Sequence, residues 1–383
     1  MMFILGGDIV HKVKILHTAD LHIGAEMSYL GTNAESRRYE NLSVFKSITE
    51  YCTENNVEIC LIAGDLFDSN SAAIPFADSV FEYISLAPST HFFYVAGNHD
   101  PLDSSSVFEG RTLPSNLTVF GEDFEIKEIP ELKVRVMGKS FKHSFMAVEN
   151  FNKVLPLDDF VNLFVLHADF ESDSSSPYNP ITREFIEGCS ADYLALGHIH
   201  KRSNIAKIGN TYTAYCGSPE GHGFDELGVK GAYVGEVSKE SVDLSFVKFS
   251  KRVYCLEEID ISSAFSPQSA TEIIINKLKS SYGEAFRENL YKIVLKGRCE
   301  NYKNLKSSEI LSLLKSELYF VKIKNELKPD YDLGALKNEI SLKGLFVKNL
   351  LNKIQAEPEN ESLMDALYLG LEAFEGEVAY NED

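Results

Sequence analysis

No two cysteines in this chain are spaced as CxxC: Cys52, Cys60, Cys189, Cys216, Cys255 and Cys299 are scattered. That pattern suits reduced thiols in cytoplasm more than a disulfide framework. No apolar run reaches the ~18 residues a membrane span needs. The start, MMFILGGDIVHK, has neither the basic n-region nor the small-residue cleavage site of a leader. The expectation is a soluble cytoplasmic protein with no membrane contact.

Positive charge is also scarce. The formal charge is −20 over 383 residues, and its distribution is uneven. Residues 1–250 hold 19 basic and 35 acidic side chains (−16), whereas residues 251–353 hold 18 and 13 (+5). From Gln355 onward there are nine acidic residues and no Lys or Arg. Phosphate neutralisation by Lys and Arg drives nucleic-acid binding, so such a chain binds nucleic acid poorly on its own. Either the substrate is something else, or metals and a partner supply the missing charge.

What is present is a layered pattern. KVKILHTADLHIG, VEICLIAGDLFD and HFFYVAGNHDPLD are buried strands that each end in a polar turn. Helical spacing separates them, with Leu42, Phe45, Ile48 and Cys52 on one face of the first helix. The alternation predicts an α/β core, continued more loosely through NLFVLHADF and DYLALGHIH. Beyond Lys251 three strands and two helical segments predict a small α+β module, and from Gly334 the chain reads as helix, loop, helix.

Five strand ends carry polar side chains: Asp20 and His22; Asp65; Asn98, His99 and Asp100; His167; His198 and His200. Ligands gather at the carboxyl ends of strands in open α/β sheets, so the five sets are expected to converge. Carboxylate, imidazole and amide oxygen are the mixed donors of divalent transition metals, without the thiolates of a structural zinc site. DxH and HxH place two side chains on one face of an extended segment. A two-metal cluster needs a bridging carboxylate, for which Asp65 is the natural candidate. A lone HxH is more often structural; five such sets in order are not.

DLH, GDLFD, GNHD, LHAD and GHIH resemble the signature of the calcineurin-like metallophosphoesterases. HTADLHIG, GDLFD, GNHDP and the later YCGSPEGHGFDELGVKG are similar to the SbcD-type DNA repair nuclease branch and to YhaO-like bacterial phosphoesterases. The resemblance covers about residues 13–235. It implies a four-layer α/β/β/α sandwich with two divalent metal ions, usually Mn2+. One ion would take Asp20, His22, Asp65 and His200; the other would take Asp65, Asn98, His167 and His198. His99 would face the phosphate and either stabilise the developing charge or protonate the leaving oxygen, with Asp100 holding its other ring nitrogen. Cys216 and His222 depart from the YhaO-like pattern, where Pro and a basic residue are common.

The expected organisation is a metallophosphoesterase domain over 1–250, an α+β cap over 251–333 and a helix–loop–helix over 334–383. In SbcD-like nucleases the last region resembles an element that grips a coiled-coil SMC-type ATPase, so DNA and an SbcC-type ATPase are the expected partners. A homodimer is left open. The leading function is a manganese-dependent nuclease acting on DNA ends in repair. The alternatives are a phosphodiesterase or phosphatase for nucleotides or small phosphoesters, and a metal-binding protein without catalysis. Other residues carry blander readings. His17 is taken as structural, Arg37 and Arg38 as a solvated helix face, and Asp68 as a helix cap or an orienting group. His11, His91 and His143 belong to no constellation. Lys292, Lys296 and Arg298 face either DNA or solvent.

Overall fold

The structure is a computed structural model that describes residues 11–147, 155–156, 158–170, 175–299 and 302–374. The reading made at the chain start and the end of the expected helix–loop–helix, 375–383, lie outside the described residues.

The strands of the first part are β1 (Lys12–Thr18), β2 (Ile59–Ala63), β3 (His91–Val95), β4 (Leu117–Val119), β5 (Glu125–Ile129), β6 (Val134–Lys139), β7 (Val161–His167), β8 (Tyr193–Gly197), β9 (Ala206–Ile208), β10 (Thr211–Tyr215), β11 (Gly231–Ser238) and β12 (Val242–Lys248). They form two six-stranded sheets, in the orders β12-β11-β1-β2-β3-β4 and β9-β10-β8-β7-β6-β5. Within the first, β1, β2, β3 and β4 run parallel; within the second, β6, β7, β8 and β10 do.

Strand alternation sorts the core into layers. Ile15, Ile59, Leu61, Phe93 and Val95 of the first sheet meet Val136, Leu163, Val165 and Ala195 of the second in one buried cluster. The opposite face of the first sheet, with Leu16, Cys60, Ile62, Phe92 and Tyr94, packs against two helices, α1 (Ala34–Glu54) and α2 (Ala77–Ser85). Leu42, Phe45, Ile48 and Cys52 are the α1 side chains buried there, as their spacing requires. The far face of the second sheet, including Phe164, Leu166, Leu194 and Leu196, closes over Ile186 and Cys189 at the short helix Arg183–Gly188. The result is an α/β sandwich. β2 and β3 are buried almost throughout, which is why they read as unbroken apolar runs.

Arg37 corrects an expectation: it does not lie on a solvated face but has no exposure at all. Its Nη2 donates to Glu220 Oε1 at 2.5 Å and to the Gly221 carbonyl at 3.1 Å, and its Nη1 donates to Glu40 at 3.0 Å. The helix turns inward at that point because the segment after β10 brings a buried carboxylate to meet it. Arg38 donates to the Gly24 carbonyl.

The described residues divide into two compact units. The first comprises residues up to 256 with 287–292 and 318–320; the second comprises 257–286, 293–317 and 321 onward. In the second unit, α3 (Pro267–Tyr282) starts at Ser266, whose side chain caps Ser269 N–H in a capping box. It is followed by α4 (Ser307–Lys315), α5 (Leu342–Ala356) and α6 (Glu361–Phe374). The chain from Gly334 is not one helix up to the loop. A short helix, Leu333–Leu336, ends in a turn, and Ser341 caps α5 afresh by accepting from Gly344 N–H. Ile340, which shares helical spacing with Leu336, Val347, Leu350 and Ile354 in the sequence, therefore sits in the turn and is fully exposed. Val347, Leu367 and Leu371 close a small core between α5 and α6. Lys296 pairs with Glu326 and Glu258, and Arg298 stacks on Tyr368 at 3.4 Å, so both have partners within the unit. No helix among the described residues is long and apolar enough to cross a membrane.

Breaking a buried ion pair on one side leaves an uncompensated charge, which costs about 3–5 kcal/mol. Arg37→Met is expected to lose that much in urea denaturation, and Arg37→Met with Glu220→Gln to recover part of it. A single-variant loss below about 1 kcal/mol would show that the pair contributes little.

Candidate metal centre

The parallel runs β1–β2–β3 and β7–β8 finish at the same edge, and the polar residues stand at their ends or in the turns just beyond. The turns there are tight. Asp20, His22, Asp65 and His198 have φ of 53°, 46°, 48° and 101°, a left-handed conformation that costs non-glycine residues roughly 1–3 kcal/mol each. Backbone bonds hold them: Asp20 N–H to Gly64 O and His22 N–H to Asp65 O, each at 3.0 Å. Two glycines permit the closeness. A Cβ at Gly64 (φ 91°) would lie 2.1 Å from His167 Nδ1, and one at Gly97 would lie 2.1 Å from Asp65 Oδ1.

Asp65 lies in the middle. Its Oδ1 accepts from His99 N–H at 3.0 Å, while Oδ2 is 3.4 Å from His167 Nε2 and 3.6 Å from His22 Nε2. Asp20 Oδ1 accepts from His198 N–H at 2.9 Å and lies 3.8 Å from His167 Nδ1; its Oδ2 is buried and has no hydrogen-bond partner. His167 Nδ1 donates to the Ala63 carbonyl at 2.9 Å, and Nε2 is 3.0 Å from Asn98 Oδ1. On the other side, His22 Nε2 and His200 Nε2 stand 3.1 Å apart.

These contacts pose a proton problem. With Nδ1–H given to Ala63, a neutral His167 presents a lone pair at Nε2, facing two oxygens that also only accept. His200 Nδ1 is likewise bonded to Glu226 at 2.7 Å, and His22 Nδ1 is 3.4 Å from Asp68. Acceptors crowd one small volume, and either protons or cations must sit among them. Sets of Asp20, His22 and His200, of Asp20, Asp65 and His167, of His22, Asp65 and His99, and of His200, His222 and Glu226 each bring ligand atoms within 4.8 Å of one another. The donors are nitrogen and oxygen throughout, and Asp20 Oδ2 is an orphan acceptor, so the cluster fits divalent metal ions.

The electrostatics agree. Burial works to raise Asp65, but His167 and His22 outweigh it and hold the carboxyl below its ordinary range. Burial pushes Asp20 up. Burial would lower His167, yet Asp65 and Asp20 carry it up to about 9. Burial and the neighbouring His167 bring His198 down to about 4.

Of the residues expected at the site, Asp20, His22, Asp65, Asn98, His167 and His200 come together by the contacts above. His198 is placed differently. Its backbone is anchored to Asp20 and its ring lies 5.1 Å from that of His167, but it joins none of the four sets. His99 is exposed, its ring edge-on to His22 at 4.6 Å and its Nδ1 3.1 Å from the Asp68 carbonyl. The expected bond from His99 to Asp100 is corrected. Asp100 has no exposure; its oxygens accept from Tyr94 Oη (2.5 Å), Phe67 N–H (2.9 Å) and Gly97 N–H (2.9 Å). Those three inward donors leave the carboxylate tying the turn down rather than orienting His99. Burial and Asp65 raise it to about 6. His17 is fully buried, bonded to Tyr193 Oη and near Leu196 O, consistent with the structural reading.

Two groups went unread in the sequence. Glu226 is bonded to His200 Nδ1 and to Ser218 Oγ, and orients that imidazole. Asn41 in α1 donates to the Leu21 and His22 carbonyls. Ligand histidines commonly give their second nitrogen to a carboxylate, so the acidic residues of GHGFDE were a findable signal; Asn41, mid-helix, offered none.

The calcineurin-like phosphoesterase family model matches residues 13–202. The chain is 27% identical over 255 residues to the DNA double-strand break repair protein Mre11 of Methanosarcina acetivorans, an alignment covering 61% of this chain and 38% of that protein. It is 24% identical over 272 residues to the uncharacterized metallophosphoesterase YhaO of Bacillus subtilis, covering 66% and 64%. To the SbcD component of the nuclease SbcCD of Escherichia coli it is 25% identical over 281 residues, covering 62% and 67%. The chain thus spans well under half the length of the archaeal relative.

Metal uptake must displace the proton that the free site keeps on His167. Between about pH 6.5 and pH 9 apparent affinity for a divalent ion is expected to rise with pH and then level off. Calorimetric titration of Mn2+ at pH 7, in two buffers of different ionisation enthalpy, should show net proton release. Release of none would remove the proton from the site.

Proposed function

Residues 13–202 are a calcineurin-like metallophosphoesterase domain, and from that premise we propose that this chain hydrolyses DNA phosphodiester bonds as a repair nuclease. The observation that carries the proposal is the buried cluster in which Asp65 lies between His22 and His167 while Asp20 keeps an unpartnered oxygen. We assign Asp20, His22, Asp65 and His200 to one ion, and Asp65, Asn98, His167 and His198 to a second. We take manganese from the family resemblance, since nitrogen and oxygen donors by themselves suit several divalent first-row ions. Bound divalent ions would neutralise phosphate oxygens and acidify water.

The chain's own residues supply the rest. Asp65 Oδ1 accepts from the His99 backbone N–H, fixing the start of that loop. The Asp68 carbonyl can only accept, so it takes Nδ1–H of His99 and leaves Nε2 to carry the exchangeable proton. His99 is exposed where a phosphate would approach, and we assign it to proton delivery at the leaving oxygen. Glu226 and Asp68 hold His200 and His22 in place.

A second reading is favoured by one observation. The −16 charge of residues 1–250 opposes a long polyanion, which favours nucleotides or small phosphoesters as substrates. A coiled-coil ATPase of the SbcC type would relieve that conflict by bringing DNA itself. We assign its docking to α5, where Leu342 and Leu345 remain exposed.

His99→Ala should leave metal content unchanged and lower turnover of a model phosphodiester by ~10²–10⁴; loss of the metal would instead make His99 a ligand. Manganese-dependent digestion of end-labelled DNA, with bis-p-nitrophenyl phosphate alongside, separates the two readings. Leu342→Asp with Leu345→Asp is expected to abolish pull-down of the coiled-coil ATPase while model-substrate turnover persists. Retained association would place docking elsewhere.

A further inference from the structure

The rim of the metal centre carries aromatic rings that neither the cluster nor its supports require. Tyr178 is exposed, and its ring lies tilted 40° against His198 at 4.9 Å. His198 in turn lies 5.1 Å from His167, so Tyr178 is one imidazole removed from the cluster. Phe145 is 63% exposed and stacks on His143 at 5.8 Å with an interplanar angle of 26°. The backbone segments that carry these residues are neighbours. Ser144 lines the open groove that also holds Asn98, His99, Ser69, Ser105 and Ile74. Two residues on, Met146 bridges to Tyr178: its N–H donates to Pro177 O at 2.8 Å, and Asn179 N–H donates to its carbonyl at 2.9 Å.

The rim is also built to stay in place. Asp169 N–H donates to the Tyr178 carbonyl at 3.1 Å, and the buried Asn179 side chain donates to the His167 carbonyl at 3.2 Å. The backbone of Tyr178 is thus held relative to His167 and its ring rests on His198, whereas a tyrosine on a free loop would lose more conformational entropy on every encounter. A fixed, solvent-facing ring beside a phosphate-cleaving centre has a specific use. Every nucleobase offers a π face, and stacking on a protein ring accepts any of the four bases.

We propose that Tyr178, continued by Phe145, is a base-stacking subsite that receives unstacked nucleobases adjoining the phosphate held at the cluster. The inference rests on the phosphodiesterase reading of that cluster and adds what is recognised beside the phosphate. It gives the acidic chain a source of affinity that needs no cation. A base can occupy the subsite only when it has left the duplex stack, so the terminal nucleotides of a substrate must be splayed there.

The test uses the full chain. It contains no tryptophan, so Tyr178→Trp installs at the subsite a single tryptophan that can be excited selectively over the tyrosines. Oligothymidylate should quench it, and an abasic oligomer with the same number of phosphates should not. In hydrolysis, the ratio of kcat/KM for dithymidine monophosphate over its abasic analogue should fall about ten-fold in Tyr178→Leu with Phe145→Leu, and Tyr178→Phe should restore most of it. Equal responses to thymidylate and abasic oligomers, with an unchanged ratio, overturn the subsite while leaving phosphodiester cleavage standing. An apolar peptide surface would give that same result. Quenching by thymidylate with no hydrolysis of either dinucleotide upholds the subsite and overturns the nuclease reading instead. If hydrolysis and quenching are both absent, both are wrong.

Discussion

Two carboxylates, Asp20 and Asp65, are buried where two sheets meet, and the site is organised around making that tolerable. An isolated carboxylate out of water is among the most destabilising things a fold can hold. Here backbone amides of His198 and His99 and the rings of His22 and His167 close round them. The compensation is incomplete, since Asp20 Oδ2 is left without a partner. A cation completes the balance, which ties metal binding to the integrity of the sheet edge.

The same requirement explains the local strain. Four of the site residues adopt φ values that ordinary side chains avoid, and Gly64 and Gly97 stand where a single methyl would strike His167 or Asp65. Backbone free to relax would draw the carboxylates apart. The buried strands β1, β2, β3, β7 and β8 prevent this, because apolar packing on both faces holds the strands on either side of each turn. The Asp100 carboxylate belongs to this apparatus: bonded to Tyr94, Phe67 and Gly97, it locks the turn that carries Asn98 and His99.

A further set of contacts ties α1 and the segment before it to the first motif and to the loop after β10. Arg37 reaches Glu220 and Gly221, Asn41 reaches the carbonyls of Leu21 and His22, and Tyr29 Oη donates to the His222 carbonyl at 2.6 Å. Glu226 in that loop then fixes His200. The loop and the first motif are therefore one mechanical piece, although nearly two hundred positions separate them in the chain.

Period and residue type alone determined much of this. Unbroken apolar runs marked the strands, three-to-four spacing marked the buried face of α1, and carboxylates, imidazoles and an amide placed directly after strand ends marked the cluster. These signals are local: each depends on the side chain and its near neighbours along the chain. What depended on contacts between distant segments was decided only by the tertiary structure. Arg37 had the look of a solvated helix residue until Glu220 was folded against it; Asp100 stood beside His99 in sequence yet turned to three inward donors; Glu226 became a histidine's partner only when its loop closed. The break before α5 is the converse case, where a continuous apolar pattern hid a turn that Ser341 caps afresh. A buried polar group takes whichever partner the fold delivers, and sequence adjacency does not say which one that is.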